Sequence, residues 1–307
     1  MRTPHKPIPY KLLTEHLPES PGVYLMYAGN GQLLYVGKSV TIRSRVRSHF
    51  NDPEERGMCR QVRRIEVRET AGELGALLLE SELIKKLKPM YNRALRKTRR
   101  LIVARKVITP AGYIRVVIEA VSTMEAISEA VGETVNNGRS TKREREILGL
   151  FRTRTQAFEY LAEVAKEHQL CLALLRLEQT RKHCFAYHLH RCNGACMGEE
   201  APEVYNVRVE RAFEQRRIKA WPYKGAIVIE ESGADISETF IVDNWCLLYS
   251  FTHSSEKSIL SVKGSHYFDY DAYKILAYYI FDEAHAQSIT HIPRAQLTYL
   301  LKKLKAA

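Results

Sequence analysis

No apolar run in this 307-residue chain approaches the roughly 20 residues that cross a membrane. The opening Met1-Arg2-Thr3-Pro4-His5-Lys6 has no apolar stretch behind it, so no secretory signal is expected and the expected compartment is the cytoplasm. Internal repeats and low-complexity tracts are missing too, which excludes solenoid and fibrous architectures. Cysteine is sparse, at six residues, and in a reducing compartment these do not form a disulfide framework. Cys59 and Cys246 stand alone and are expected to be ordinary, partly buried thiols.

Positive charge is plentiful, and it is concentrated. Residues 1–105 hold 21 Lys and Arg against 10 Asp and Glu, whereas the remaining residues hold 26 against 25. Nearly all of the net +12 therefore sits in the first third. A generally basic protein would spread its excess. A local excess is the footprint of contact with a phosphate backbone.

The same third carries the densest chemistry. Gly22-Val23-Tyr24 and Tyr35-Val36-Gly37 are strand-like, and Tyr27 to Gln32 between them contains the Asn30-Gly31 pair that a hairpin reversal needs. Lys38, Arg43, Arg45 and Arg47 follow directly. Residues 41–50 read as a helix with Ile42, Val46 and Phe50 as its buried stripe, and Arg45 and His49 beside that stripe. Residues 62–69 alternate apolar and charged, as a half-exposed strand does, and residues 73–88 form a helix stopped by Pro89.

Within that helix Glu80 has Ala76 and Leu77 before it, and Leu83, Ile84 and Leu87 after it, at helical spacing. A carboxylate on an apolar face costs several kcal/mol unless a partner compensates it. The partner is either a buried arginine or a divalent cation. Glu82, with Lys85 and Lys86 one turn on, reads as a solvated ion-pair residue. Tyrosines, arginines and one stranded carboxylate in register suit phosphodiester hydrolysis, which needs a base for water and positive charge on the phosphoryl oxygens.

Further on, 101–108 and 113–119 read as strands around Thr109-Pro110-Ala111-Gly112, 134–145 as a linker and 155–170 as a helix. Cys171, Cys184, Cys192 and Cys196 then fall within 26 residues. Four thiolates suit zinc or an iron–sulfur cluster. The long first spacings fit a bulkier cluster better than two zinc knuckles, and unliganded packing cysteines are the third possibility. His183, His188 and His190 read as surface or DNA-facing residues. A helical run over 203–218 is a candidate partner contact, a strand-rich region follows, and 294–305 reads as a basic amphipathic helix. Asp243, Asp269 and Asp271 suggest either a second metal site or a helix cap, and Trp221 and Trp245 read as core.

Pro21-Gly22-Val23-Tyr24, Tyr35-Val36-Gly37-Lys38-Ser39, Arg43-Ser44-Arg45 and Glu80 through Tyr91-Asn92 resemble the GIY-YIG nuclease domain, and more narrowly that of the UvrC family. The stretch from Cys184 to Gly198 resembles the same family beyond its nuclease domain, and the ending resembles its shorter homologues. The resemblance implies an α+β fold in three blocks. These are a GIY-YIG domain over 1–100, with a three-stranded antiparallel sheet flanked by helices, a connecting region with the cysteine cluster over 101–200, and a smaller strand-rich module over 201–307.

It implies that Glu80 ligates one Mg²⁺ or Mn²⁺ and that Tyr35 is general base on water, with Tyr24 beside it. Arg45 would stabilise the pentacovalent phosphorus, Lys38 would set the site's charge, and Asn92 would organise it. His49 stands where the subfamily often has a tyrosine. Arg43, Arg47, Lys85, Lys86, Arg93 and Arg96 are expected to face DNA. The four cysteines would hold a [4Fe–4S] cluster, with zinc as the alternative.

The implied activity is a monomeric excision-repair endonuclease that cuts damaged double-stranded DNA 3′ to the lesion, with UvrB as partner and UvrA as its loader. The long family members' UvrB-binding hairpin, second nuclease domain and helix-hairpin-helix motifs are not recognisable. Two other readings stay open: a standalone GIY-YIG nuclease with its own specificity, and a DNA-binding module whose site has decayed.

Overall fold

A computed structural model describes residues 9–92, 100–122, 146–180, 183–219, 221–254, 258–259, 268–293 and 296–297. The expected linker over 134–145, most of the expected helix over 294–305, and Arg93 and Arg96 lie outside the described residues. In chain order the elements are α1 (Tyr10–Thr14), β1 (Gly22–Ala28), β2 (Leu33–Ser39), α2 (Ile42–Asn51), α3 (Arg56–Cys59), β3 (Val62–Glu69) and α4 (Glu73–Leu87). There follow β4 (Arg100–Ile108), β5 (Ile114–Ser122), β6 (Ile147–Phe151), α5 (Arg154–Glu167), α6 (Phe185–His188) and α7 (Pro202–Phe213). The last are β7 (Ala226–Ser232), β8 (Ile236–Asp243), β9 (Cys246–Ser254), β10 (Ser258–Ile259), α8 (Tyr270–Ile280) and β11 (Ile289–Ile292).

The protein is α+β, in two compact units. One joins residues 1–97 to 222–307, and the other is 98–221. In the first unit β2-β1-β3 form an antiparallel sheet. The β1–β2 reversal uses Gly31 at φ 80°, with Gly31 N–H donating to Ala28 O at 3.0 Å. Strand β1 is apolar at successive positions because both its faces are covered. Tyr24 and Met26 pack with Ile42 and Val46 of α2, while Val23 and Leu25 pack with Leu83 and Ile84 of α4. Helix α4 ends at Lys88, which adopts the left-handed conformation ahead of Pro89.

The same unit contains the antiparallel sheet β10-β9-β8-β7-β11 and helix α8. Asp269 caps α8, its Oδ1 accepting from Asp271 N–H (2.9 Å) and Ala272 N–H (3.1 Å). Trp245 is 1% exposed and meets Tyr273 edge-on at 5.1 Å, so it is a core residue.

In the second unit β5-β4-β6 pair antiparallel. Phe151, Leu161, Tyr205 and Phe213 share a core with Cys171, Cys184 and Cys192. Strand β5 runs past the expected end at 119 because its ladder with β4 continues through Ala120, Val121 and Ser122, opposite Ile102, Leu101 and Arg100. Helix α7 stops at Phe213, its last buried residue, and gives way to a 3₁₀ turn over Glu214–Arg216 where a helix to 218 is expected. Among the described residues no helix is long and apolar enough to cross a membrane.

Candidate nuclease site and cysteine cluster

Pairing of β1 with β2 sets Tyr24 opposite Gly37 and Met26 opposite Tyr35. The two tyrosines thus share one face of the sheet as diagonal neighbours, with ring centroids 6.2 Å apart. Gly37 makes this possible. A Cβ there would lie 2.4 Å from Tyr24 Oη and 2.7 Å from Tyr35 Cε1. The glycine of the Tyr-Val-Gly run is therefore required for the space above it.

His49, from the last turn of α2, meets both rings edge-on and is 1% exposed. Its Nε2 lies 2.6 Å from Tyr24 Oη, and its Nδ1 is hydrogen-bonded to Glu55 Oε2. An ionised carboxylate only accepts, so Nδ1 carries the proton and the Tyr24 hydroxyl donates to Nε2. Sequence reading overlooked Glu55. It lies six residues beyond His49 in a polar loop, and no periodicity marks it.

Glu80 Oε1 accepts from Lys38 N–H at 3.1 Å, its one hydrogen bond among the described residues. Burial raises its carboxyl, opposed first by that N–H and then by the Lys38 and Arg45 charges. Lys38 Nζ pairs with Glu73 at 2.5 Å. Glu73 and Glu80, two turns apart on one face of α4, thus meet the side chain and the main chain of the same lysine. Among the described residues Glu80 has no bonded arginine. A half-buried oxygen donor in this setting fits a hard divalent cation, which takes oxygen ligands.

Burial pushes the Tyr24 phenol far up, Tyr35 adds to this, and Arg45 opposes it only in part. Tyr35 is raised first by burial, then by Glu80 and Glu55, again with Arg45 in opposition. Asn92 brackets the free edge of β2. Its Nδ2 donates to Val36 O (2.8 Å) and its Oδ1 accepts from Val36 N–H (2.9 Å).

The expected DNA-facing residues divide. Arg47 and Lys86 are exposed. Arg43 is held by Leu17 O (2.6 Å) and Glu19 (3.3 Å). Lys85 pairs with Asp269 and with Asp271, the latter at 3.0 Å. That pairing and the cap on α8 account for the two aspartates without a second metal.

In the other unit, the thiols of Cys171, Cys184 and Cys196 all lie within 4.8 Å of one another. Cys171 Sγ and Cys184 Sγ are 3.8 Å apart, and Cys184 N–H donates to Cys196 Sγ at 3.4 Å. Cys192 joins them. Its thiol is brought down to about 6, first by a hydrogen bond from Cys171, while Cys171 and Cys184 are raised. Among the described residues Tyr205 Oη is buried without a hydrogen-bond partner, and burial, then the Cys171 and Cys192 charges, push its phenol up. Converging thiols beside an orphaned hydroxyl fit a thiolate-bound metal centre. Exposed His188 and partly exposed His183 pair with each other, Nε2 to Nε2 at 2.6 Å.

Three family descriptions match along the chain: UvrC-like GIY-YIG domain over residues 20–93, UvrC/Cho excinuclease middle domain over 120–215, and excinuclease Cho C-terminal domain over 226–296. Excinuclease Cho of Salmonella typhi is 39% identical over 264 residues, 84% of this chain and 82% of that protein. The protein of that name from Escherichia coli K12 is 36% identical, covering 85% and 82%. UvrABC system protein C of Psychrobacter cryohalolentis is 31% identical over 66% of this chain and 31% of its own length. The solved GIY-YIG N-terminal endonuclease domain of UvrC from Thermotoga maritima, bound to magnesium as its catalytic divalent cation, is 33% identical. It covers 27% of this chain and 92% of its own, with a TM-score of 0.25.

Proposed function

The chain belongs to the excinuclease Cho family, nucleases of DNA excision repair, and on that premise we propose that it cuts 3′ to a lesion on DNA that UvrA has loaded with UvrB. The observation that carries an active nuclease site is the convergence of Tyr24, Tyr35, His49 and Glu80, with Arg45 charging the same hydroxyls. A decayed site would not preserve a carboxylate that, among the described residues, has no side-chain hydrogen bond, beside one buried and one half-buried phenol.

Glu80 holds the divalent cation, Mg²⁺ or Mn²⁺. The bound ion would supply positive charge for the phosphoryl oxygens and ease deprotonation of water. Tyr35 is the base for the attacking water. The burial and, after it, the carboxylates that raise its phenol make it a strong proton acceptor once deprotonated. Tyr24 donates to His49, and Glu55 stabilises the imidazolium if the proton moves across. His49 therefore does what a second tyrosine cannot, because its two ring nitrogens meet Tyr24 and Glu55 at once. Arg45, exposed at the rim, presents its planar fork to the scissile phosphate, and Arg47 and Lys86 meet neighbouring phosphates. Asn92 keeps β2, and with it Tyr35, in register.

The cysteine set is a resident metal centre. Two compositions remain, and the structure supplies an argument for zinc that spacing along the chain does not. Zn–S bonds of about 2.3 Å place tetrahedral thiolates about 3.8 Å apart. Cys171 and Cys184 stand at that separation. The long loops between the cysteines favour the four-iron cluster. Metal and sulfide analysis of anaerobically purified protein, with absorbance near 400 nm, separates the two.

Incision of an end-labelled duplex with one defined lesion, with and without UvrA and UvrB, tests the assignment. The expected product is a single cut 3′ to the lesion that requires both proteins and is lost in Glu80→Ala and Arg45→Ala. Equal cutting without UvrB would identify a standalone nuclease instead.

A further inference from the structure

Helix α4 carries Glu80 but cannot cap its own start. The first N–H groups of a helix have no partner within it, and Ser, Thr, Asp or Asn at the cap position usually satisfies one of them. Here the cap position is Gly72, and the third helical residue is Gly75. The missing acceptors come from strands more than 150 residues later in the chain.

Glu231 of β7 accepts from Leu74 N–H through Oε1 (2.9 Å) and from Gly75 N–H through Oε2 (2.8 Å). Glu238 of β8 accepts from Ala71 N–H at 2.9 Å. The glycines make room for these carboxylates. A Cβ at residue 72 would stand 2.5 Å from Glu231 Oε1, and one at residue 75 would stand 2.0 Å from Glu238 Oε2.

Glu231 and Glu238 are direct partners across the β7–β8 ladder. Like charges placed opposite each other destabilise a sheet, and Glu238 is 8% exposed. The pair makes physical sense against the positive end of a helix, where Glu231 meets two helical N–H groups, Glu238 meets the Ala71 N–H just before the cap position, and both carboxylates face the helix dipole. The far end of α4 is held as well, since Lys85 pairs with Asp269 and Asp271 at the start of α8. At 1.5 Å per residue, Glu80 lies about 9 Å along the helix from Leu74 and about 7.5 Å from Lys85.

We propose that the C-terminal sheet and α8 are a built-in clamp that positions the Glu80 helix, with Glu231 and Glu238 as positioning residues for the nuclease's metal ligand. The proposal rests on Glu80 being that ligand. The C-terminal region then belongs to the catalytic apparatus without touching substrate. Gly72 and Gly75 are the imprint of the clamp on the helix.

Mg²⁺ titration of incision by the full-length chain tests this. Glu231→Ala is expected to raise the metal midpoint about 10-fold, equivalent to about 1.4 kcal/mol, with the rate at saturating Mg²⁺ changed far less. Adding Gly72→Asp to Glu231→Ala is expected to restore the midpoint, since the cleared space admits a self-capping aspartate. Gly72→Asp alone is expected to be harmful, because its Cβ meets Glu231. That reversal of sign is one a general loss of stability does not produce.

Should Glu231→Ala fail to fold, Glu231→Gln keeps the shape and one acceptor, and a midpoint shift of about threefold is expected. Hydrogen exchange at Leu74 and Gly75 should quicken in either variant. A folded Glu231→Ala or Glu231→Gln with an unchanged midpoint, or failure of Gly72→Asp to rescue, overturns the clamp. Glu80→Ala is run in parallel. If it still cuts, the metal assignment has failed; if it is dead while the Glu231 variants titrate normally, only the clamp has.

Discussion

The two candidate metal sites are built in opposite ways. The cysteine set comes from 26 consecutive positions, uses soft thiolates, and buries three of its four residues. The nuclease site takes Tyr24, Tyr35, His49, Glu55 and Glu80 from β1, β2, α2, the loop beyond it and α4, and offers one hard carboxylate at a rim with Arg45 exposed. A closed set of thiolates holds its metal for structure or redox and leaves no position for substrate. A single carboxylate leaves most of the coordination sphere to water and phosphate, which hydrolysis requires. The chemistry of the donors and the openness of the site separate a resident centre from a working one.

The sharpest way to break this contrast is Glu80→Ala. Incision should fall by about 10³-fold or more, while metal bound at the cysteines stays constant. A fall in both would show that the sites depend on each other. Tyr35→Phe should cost about 10²–10⁴-fold. It should also flatten the pH profile, because burial, Glu80 and Glu55 hold the phenol above its ordinary range. The wild-type rate should therefore climb steadily from pH 7 to 9, as more of the base loses its proton, and a falling profile would remove Tyr35 from that role.

Gly37→Ala should cost about 10²-fold by displacing Tyr24 and Tyr35, with metal affinity at Glu80 changed little. Single-turnover kinetics at several Mg²⁺ concentrations will separate the two effects. Glu55→Gln should cost about tenfold in the single-turnover rate, because it weakens the acceptor that holds His49 Nδ1 in place. The mildest test works on the other site. Cys184→Ser should release metal and lower the melting temperature by several degrees, yet leave the Mg²⁺ midpoint of incision where it was.

Legibility followed distance along the chain. Residues 62–69 alternate apolar and charged, and that period alone marks β3 to its observed ends. Glu80 stood out because helical spacing put a carboxylate among leucines. Lys85 is expected to face DNA, and the ion pairs it makes, with Asp269 and Asp271, lie 184 and 186 residues further on, where no local pattern reveals them. The same holds for Arg43, since the Leu17 carbonyl that it bonds is not a sequence neighbour. His49 was visible as an unusual residue, but its task depends on Glu55 and Tyr24 closing on its two nitrogens.

By itself the amino-acid sequence determined the kinds of chemistry available. It holds tyrosines spaced by strand period around a turn, a carboxylate on an apolar helical face, four clustered thiols and a basic first third. These are local properties, set by periodicity and composition, and need no fold to be read. Only the tertiary structure decided which groups meet. It joined the first and last segments of the chain into one unit, gave α4 its cap from β7 and β8, and turned His49 from a substitution into a link between Glu55 and Tyr24. The physical reason is that hydrogen bonds and ion pairs act over a few ångströms of space, and folding sets that distance independently of separation along the chain.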